Sequence, residues 1–252
     1  MTPAELLECF AAAAAAQRDV LSSLSGVERR RRTDREGQYH LDTVADAAVL
    51  PVLAEYPVRV LSEESRWTGP ADAAITVVVD PVDGSTNCAR GIPYWGISLC
   101  ALDADGPLCA YVENGATGAR YTAINGEGAW LDGEPLTPSA VTDIERAVVA
   151  IVAMPPVEPP WRQFRSLGSA ALALCDVAAG GLDGFLDCTV DLHRPWDYLG
   201  GLLICRESGA CVADAHDREL VELDPDAGRQ PVAAGTPELL DRLREVHGEP
   251  RG

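Results

Sequence analysis

An apolar, β-branched run, Ile75–Val79, ends directly in Asp80-Pro81-Val82-Asp83-Gly84-Ser85-Thr86-Asn87. No other junction constrains this chain so strongly. The run reads as a short buried strand. Just past it stand two carboxylates three residues apart, which repel each other unless something positive compensates them. Pro81 stiffens the backbone between them, and Gly84 permits a tight turn or the close approach of a ligand. Ser85 and Thr86 add hydroxyls and amide donors, and a helix starting here would set an anion site beside a cation site. A divalent cation such as Mg²⁺ suits the segment, because it takes oxygen ligands, uses one or two carboxylates and shares substrate phosphate. A surface Asx turn capping a helix accounts for the same residues, and the segment alone leaves both readings open.

Other acids favour the cation. Glu63 and Glu64 follow a second short strand, Val58–Leu61, and parallel strand ends line one crevice, where open α/β sheets build their sites. Asp197 opens a predicted helix in Pro195-Trp196-Asp197-Tyr198, a position where an acid also stabilises a first turn. Gly168-Ser169-Ala170-Ala171 begins another helix and would offer free amides, although it is also an ordinary helix start. His193, near Asp197, reads as structural rather than as a general base.

The remaining chain organises around these points. Thr2-Pro3-Ala4-Glu5 is a capping box with proline at the first helical position; it predicts a helix to about Leu24, stopped by Gly26. Val27–Tyr39 is expected to be a polar, Arg-rich loop, followed by a helix from about Leu41 to Glu55 that Pro57 ends. Trp95–Leu102, Leu108–Glu113 and Ala119–Ile124 read as an antiparallel meander, and Ala147–Ala153 as a further strand. The Pro-rich stretch Pro155–Pro160 and a change of rhythm place a boundary near 140–160. Residues 1–145 would form an N-terminal α+β domain with most of the acids, and 146–252 a C-terminal α/β domain with Asp197. In the second domain, helices Ser169–Ala179 and Pro195–Ser208 alternate with strands Gly184–Leu186, Ala210–Ala213 and Pro231–Ala234. A last helix runs from Thr236-Pro237 to about His247.

Charge excludes some partners. The 252 residues carry 39 acids against 20 basic residues, all of them arginine, for a net charge of −19. So acidic a chain argues against a nucleic-acid partner. The run Arg29–Arg32 could touch a phosphate or nucleic acid, but a solvated loop is the favoured reading. No apolar run reaches the roughly 18–20 residues that span a bilayer, and the first residues lack the basic start of a signal peptide. No membrane and a cytoplasmic setting are therefore expected. The eight cysteines form no C-x-x-C pair and sit mostly in apolar stretches, as reduced core thiols do.

Asp80–Asn87 resembles the D-P-[IVL]-D-G-[TS]-T-N signature of the inositol monophosphatase family. Trp196-Asp197-Tyr198-Leu199-Gly200-Gly201, ending in Glu207-Ser208-Gly209, is similar to the family's second signature, W-D-x-A-[AG]-G…E-[AS]-G. Glu63-Glu64 resembles its G-E-E, with Ser62 in place of glycine, and Arg165-Ser166-Leu167-Gly168-Ser169-Ala170-Ala171 its R-S-x-G-[ST]-A-A helix start. The four motifs stand in the family's order across essentially the whole chain. The resemblance implies a layered α/β/α/β/α sandwich and Mg²⁺-dependent phosphomonoester hydrolysis, with two or three Mg²⁺ per site. By this resemblance Glu63, Asp80 and the Val82 carbonyl hold the first metal, Asp80, Asp83 and Asp197 hold the second, and a third, weaker ion sits near Glu63. Asp46 and Ser85 orient the attacking water. The Gly84 and Ser85 amides bind phosphate, Gly168, Ser169 and Ala170 line the leaving-group side, and Asp187 grips substrate hydroxyls, with Cys188–His193 as a short insertion. The family often carries a lysine before the Asp46 segment; here His40 or an arginine of residues 29–35 would stand in. The expected partners are a small phosphorylated substrate and a second copy of the chain. A polyol or sugar phosphate such as inositol 1-phosphate leads. Nucleotides (3′-phosphoadenosine phosphate or a nucleoside 5′-monophosphate), histidinol phosphate and fructose 1,6-bisphosphate are alternatives. A non-catalytic metal-binding module is the alternative outside enzymes.

Overall fold

The computed structural model describes residues 1–156 and 158–248, so Val157, within Pro155–Pro160, lies outside the described residues. In chain order the elements are α1 (Pro3–Ser23), α2 (Gly26–Arg30), α3 (His40–Leu53), β1 (Val58–Ser62), β2 (Arg66–Thr68), β3 (Ile75–Asp83) and α4 (Ser85–Arg90). There follow β4 (Gly96–Asp103), β5 (Gly106–Asn114), β6 (Arg120–Ile124), β7 (Gly128–Leu131), β8 (Glu134–Pro135), β9 (Val148–Val152) and β10 (Gln163–Arg165). The chain ends with α5 (Ala170–Ala178), β11 (Gly184–Asp187), α6 (Pro195–Ser208), β12 (Cys211–Asp214), β13 (Pro231–Ala234) and α7 (Pro237–Gly248).

The alternation of side chains along β3 decides the layering. Val77 and Val79 point to one face and Val78 to the other. Val77 and Val79 join Val58, Val60, Ile97 and Leu99 against Leu6 and Phe10 of α1 and Val49 and Leu53 of α3. Val78 joins Leu61, Cys100 and Val112 on the opposite face, packed against Leu174 of α5 and Leu199 and Leu202 of α6. The same cluster takes in Ala150, Phe185 and Ala233 of a second sheet. The far face of that sheet, with Val149, Ile151, Leu186 and Val232, is closed by Leu239, Leu243 and Val246 of α7. The order is α/β/α/β/α, as the sequence led us to expect.

The first sheet runs β2-β1-β3-β4-β5-β6-β7-β8 and is antiparallel except between β1 and β3. The second runs β10-β9-β11-β13-β12, with β10, β9 and β11 parallel. The chain leaves the first sheet at Pro135 and enters the second at Val148.

Two local expectations change. Gly26 does not stop α1; an extended Leu24 does. Ser25 and Glu28 then form a second capping box, which opens α2 inside the segment expected to be a loop. β2, β7, β8 and β10 are two to four residues long, too short to show a period, and exist through pairing with their neighbours. Six of the eight cysteines are buried. Among the described residues no helix is long and apolar enough to cross a membrane.

Candidate active site

The parallel pairing of β1 and β3 sets Ser62 beside Val79, so Glu63, just past the end of β1, follows beside Asp80, which is still paired with Ser98 of β4. The Glu63 amide donates to the Val79 carbonyl at 3.2 Å. Between Asp80 and Asp83 the register of β3 against β4 slips, which re-aims the second carboxylate. The first turn of α6 supplies Asp197. One carboxylate oxygen from each of Asp80, Asp83 and Asp197 lies within 4.8 Å of the other two.

Backbone and hydroxyl donors fix each acid. The Val82 amide donates to Asp80 Oδ1 at 2.8 Å. At the start of α5 the Ser169 hydroxyl and the Ala171 amide donate to Asp83 Oδ2 at 2.6 and 2.7 Å. The Arg194 amide donates to Asp197 Oδ2 at 2.6 Å. From behind, Gln17 of α1 donates to the Pro81 carbonyl at 2.7 Å. Gly84, which caps α4 at φ +88°, is required by crowding: a Cβ there would stand 3.0 Å from the Gly168 carbonyl oxygen and 3.1 Å from that of Tyr94. Asn87 ties the same points together by donating to the Tyr94 and Leu167 carbonyls, both at 2.7 Å. The start of α4, with Gly84 and Ser85, therefore abuts the Gly168-Ser169-Ala170 start of α5.

These acids hold their protons tightly. Burial first, and then the Asp197 charge, push Asp83 up to about 6, although the Ser169 and Ala171 donors pull it back. Burial and neighbouring carboxylates raise Glu63 and Asp80 well above the usual range. Burial also raises Asp197, against the pull of His193. Carboxylate oxygens that are oriented yet uncompensated fit a hard divalent cation such as Mg²⁺.

Two expected site residues have different partners. Both oxygens of buried Asp46 are taken by serines at the end of β1: Ser62 donates to Oδ1 at 2.5 Å, and Ser65 donates to Oδ2. The structure pairs Asp46 with these two, not with Ser85. Their signal in the sequence was a pair of hydroxyls flanking Glu63-Glu64. Asp187 is 0% exposed; its Oδ1 accepts the Thr189 amide and hydroxyl at 2.8 and 2.6 Å, and its Oδ2 meets His193 Nδ1 at 2.6 Å. Both oxygens of Asp187 thus have partners inside the protein. Burial lowers the His193 pKa, but the Asp187 bond and the Asp197 and Asp83 charges outweigh it and raise the ring above its ordinary value. Val82 is buried against Leu41, Ala45 and Trp95. At the rim, Glu64 is bonded by Gln38 and, at 3.2 Å, by Arg35, which ties the Arg-rich segment to the acids.

The model of the inositol monophosphatase family matches residues 4–247. An Archaeoglobus fulgidus protein named fructose-1,6-bisphosphatase/inositol-1-monophosphatase is 36% identical over 184 residues, 71% of each chain. The Escherichia coli Nus factor SuhB is 29% identical over 204 residues, 75% of each chain. A solved Pyrococcus horikoshii structure, described as a hypothetical protein with similarities to inositol-1 monophosphatase, matches with a TM-score of 0.88. That match covers 97% of this chain and 99% of the other at 24% identity, and it shows the shared fold.

Proposed function

The chain belongs to the inositol monophosphatase family and is a phosphomonoester hydrolase, and from that premise we propose that it removes phosphate from a small polyol or sugar phosphate with Mg²⁺. The observation that carries this reading is the convergence of Asp80, Asp83 and Asp197, with Glu63 beside them, where strands end and helices begin. In this reading Glu63, Asp80 and the Val82 carbonyl hold one Mg²⁺, Asp80, Asp83 and Asp197 a second, and Glu63 borders a third. When bound, the ions supply the positive charge that activates water and stabilises the leaving oxygen in an in-line displacement. The chain's own groups do the rest. Asp46 orients the water, its carboxylate held by Ser62 and Ser65, with Ser85 as a further hydroxyl. The Gly84 and Ser85 amides receive the phosphate. Gly168, Ser169 and Ala170 line the leaving-group side, where Asp187 acts through His193.

A sugar bisphosphate is the second reading. With Asp187 engaged by Thr189 and His193, that position presents no free carboxylate to repel a second phosphate, and the Archaeoglobus fulgidus relative carries a bisphosphatase name. Phosphate release, followed with malachite green, separates the readings. The panel is inositol 1-phosphate, fructose 1,6-bisphosphate, histidinol phosphate, a nucleoside 5′-monophosphate and 3′-phosphoadenosine phosphate, each with Mg²⁺ and with EDTA. Turnover that needs Mg²⁺ and is highest on the polyol or sugar phosphates supports the proposal. Full turnover in EDTA, or none on any sugar or polyol phosphate, rejects it.

A cytoplasmic homodimer is part of the same reading. Met154, Phe164, Val190 and Leu192 are exposed by 46–88% on or beyond the adjacent strands β9, β10 and β11, and in this reading a second copy covers them. Light scattering on Val190→Asp against the parent tests this; a dimer in both proteins would remove the patch from the interface.

A further inference from the structure

Arg30, Arg32 and Arg90 line one cavity of about 410 Å³ together with Tyr39. It lies where α2, the N-cap of α3 and the last residue of α4 meet, and these three helices pack on one another. One arginine is already locked in place. Arg32 donates from Nη1 to the Gly37 carbonyl at 2.7 Å and from Nη2 to the Tyr39 hydroxyl at 2.8 Å, and its guanidinium stacks 3.6 Å above the Tyr39 ring. Tyr39 itself is only 4% exposed. Arg30 and Arg90 are exposed and make no hydrogen bond or ion pair among the described residues.

Among the described residues no carboxylate lines this cavity. That is unexpected in a chain with 39 acids for 20 arginines, where a random neighbour of an arginine is more often an acid than another arginine. Asp42 lies in the field of Arg32 and Arg35, but burial lifts it to about 7, and one of its oxygens accepts the Tyr39 amide at 2.8 Å. Three guanidiniums around one open space lack an anion, and their planar forks match phosphate oxygens well. Because Arg32 covers a face of Tyr39, a compact oxyanion suits the space better than an aromatic ring.

We propose that this cavity is an accessory oxyanion site that takes a phosphate group, distinct from the acidic centre. The two share no residue. They are joined by the helices: α3, entered through Tyr39, carries Asp46, and α4, which ends in Arg90, begins at Ser85. An anion held by Arg30, Arg32 and Arg90 clamps α2, α3 and α4 together. The phosphate is either free inorganic phosphate or the phosphate group of a larger metabolite. The site does not depend on which substrate is hydrolysed.

The test uses the full chain in EDTA, where the acidic centre repels anions and binding reports the arginines. Inorganic phosphate is titrated by calorimetry and by its effect on Tm, in the parent and in Arg30→Gln/Arg90→Gln. Both side chains are exposed and unbonded, so the variant should keep its far-ultraviolet circular dichroism and its phosphate-free Tm. Saturable binding and a phosphate-dependent rise in Tm are expected in the parent, with affinity at least about tenfold lower in the double variant. Fructose 6-phosphate and a nucleoside 5′-monophosphate identify the source: tighter binding than inorganic phosphate assigns the site to the larger ligand, and equal or weaker binding assigns it to free phosphate. No saturable binding at millimolar phosphate, or equal binding by the variant, overturns the proposal. So does arginine-dependent capture of a ribo-oligonucleotide without phosphate binding, which would make this surface a nucleic-acid face.

Discussion

Glu63, Asp80, Asp83 and Asp197 crowd negative charge among strand ends and helix starts, while Arg30, Arg32 and Arg90 crowd positive charge around an open cavity on the surface. The acids are the more confined: Asp80 is 2% exposed, and each of Asp80, Asp83 and Asp197 is held by a specific amide or hydroxyl. Those donors set direction but cannot cancel the charge, and in a poorly solvated place like charges repel strongly. The arginines keep their water, and salt screens them over about 10 Å at 0.1 M. Like charge therefore has two structural meanings here. Buried, it makes a cation part of the working centre. Exposed, it leaves an anion as an optional ligand whose occupancy follows its concentration.

The contrast breaks first at Asp80. Asp80→Asn should lower kcat by at least about 10³-fold, since the residue is assigned to both metal positions. It should also raise the Tm of the EDTA-treated protein, because one of the repelling charges is gone. Near-normal turnover, or a lowered metal-free Tm, would show that the acids are not held in mutual repulsion.

A smaller loss is expected where donors orient a carboxylate. Ser62→Ala should reduce kcat by roughly 10- to 100-fold, the worth of one hydrogen bond to a charged group, with KM little changed. Ser85→Ala makes the comparison sharp, because Asp46 is bonded to Ser62 and Ser65. A larger kcat loss for Ser85→Ala than for Ser62→Ala would mean that Asp46 changes partners in the working enzyme.

The pH dependence of stability comes next. Burial raises Asp83 to about 6 and Asp42 to about 7, from an ordinary value of 3.8. A raised acid binds its proton more tightly in the folded than in the unfolded state. The stability this provides is present at low pH and is lost as pH climbs from about 4 through about 7. Urea midpoints of the EDTA-treated protein should therefore be lower at pH 8 than at pH 5, and Mg²⁺ should narrow the gap. Equal midpoints without metal would remove the premise that burial strains this centre.

The smallest effect belongs to the arginines. Arg90→Gln should move the Tm by less than about 2 °C in phosphate-free buffer, because exposed like charges repel weakly. A larger rise that disappears in high salt would show that the cavity is as strained as the acidic centre.

Much of the acidic centre was legible before any coordinates. Asp80 and Asp83 stand three residues apart past a β-branched run, and Glu63 ends a neighbouring strand; strand ends and helix starts announce themselves locally through period and capping. The five layers were implied by the family resemblance rather than by any period; the alternation of Val77, Val78 and Val79 between faces shows how β3 serves two of the packing layers. β2, β7, β8 and β10 were not legible, because each exists through pairing with a neighbouring strand rather than through a pattern of its own. Nor was α2, whose Ser25-to-Glu28 capping box was hidden in a segment dominated by charge.

What the chain determined by itself is which residues share a turn, a strand face or a cap, because those relations depend on covalent spacing. It placed the acids at or near element ends, while the need for glycine at position 84 comes from the Gly168 and Tyr94 carbonyls packed against it. What only the tertiary structure decided is which distant groups become partners. Asp46 went to Ser62 and Ser65, Asp187 turned inward to Thr189 and His193, and Arg90 came to face Arg30 and Arg32 across a cavity. A carboxylate's partner is chosen by whichever donor the packing of helices and sheets brings within about 3 Å. That distance is set by the side chains filling the layers between the elements, which no local spacing encodes.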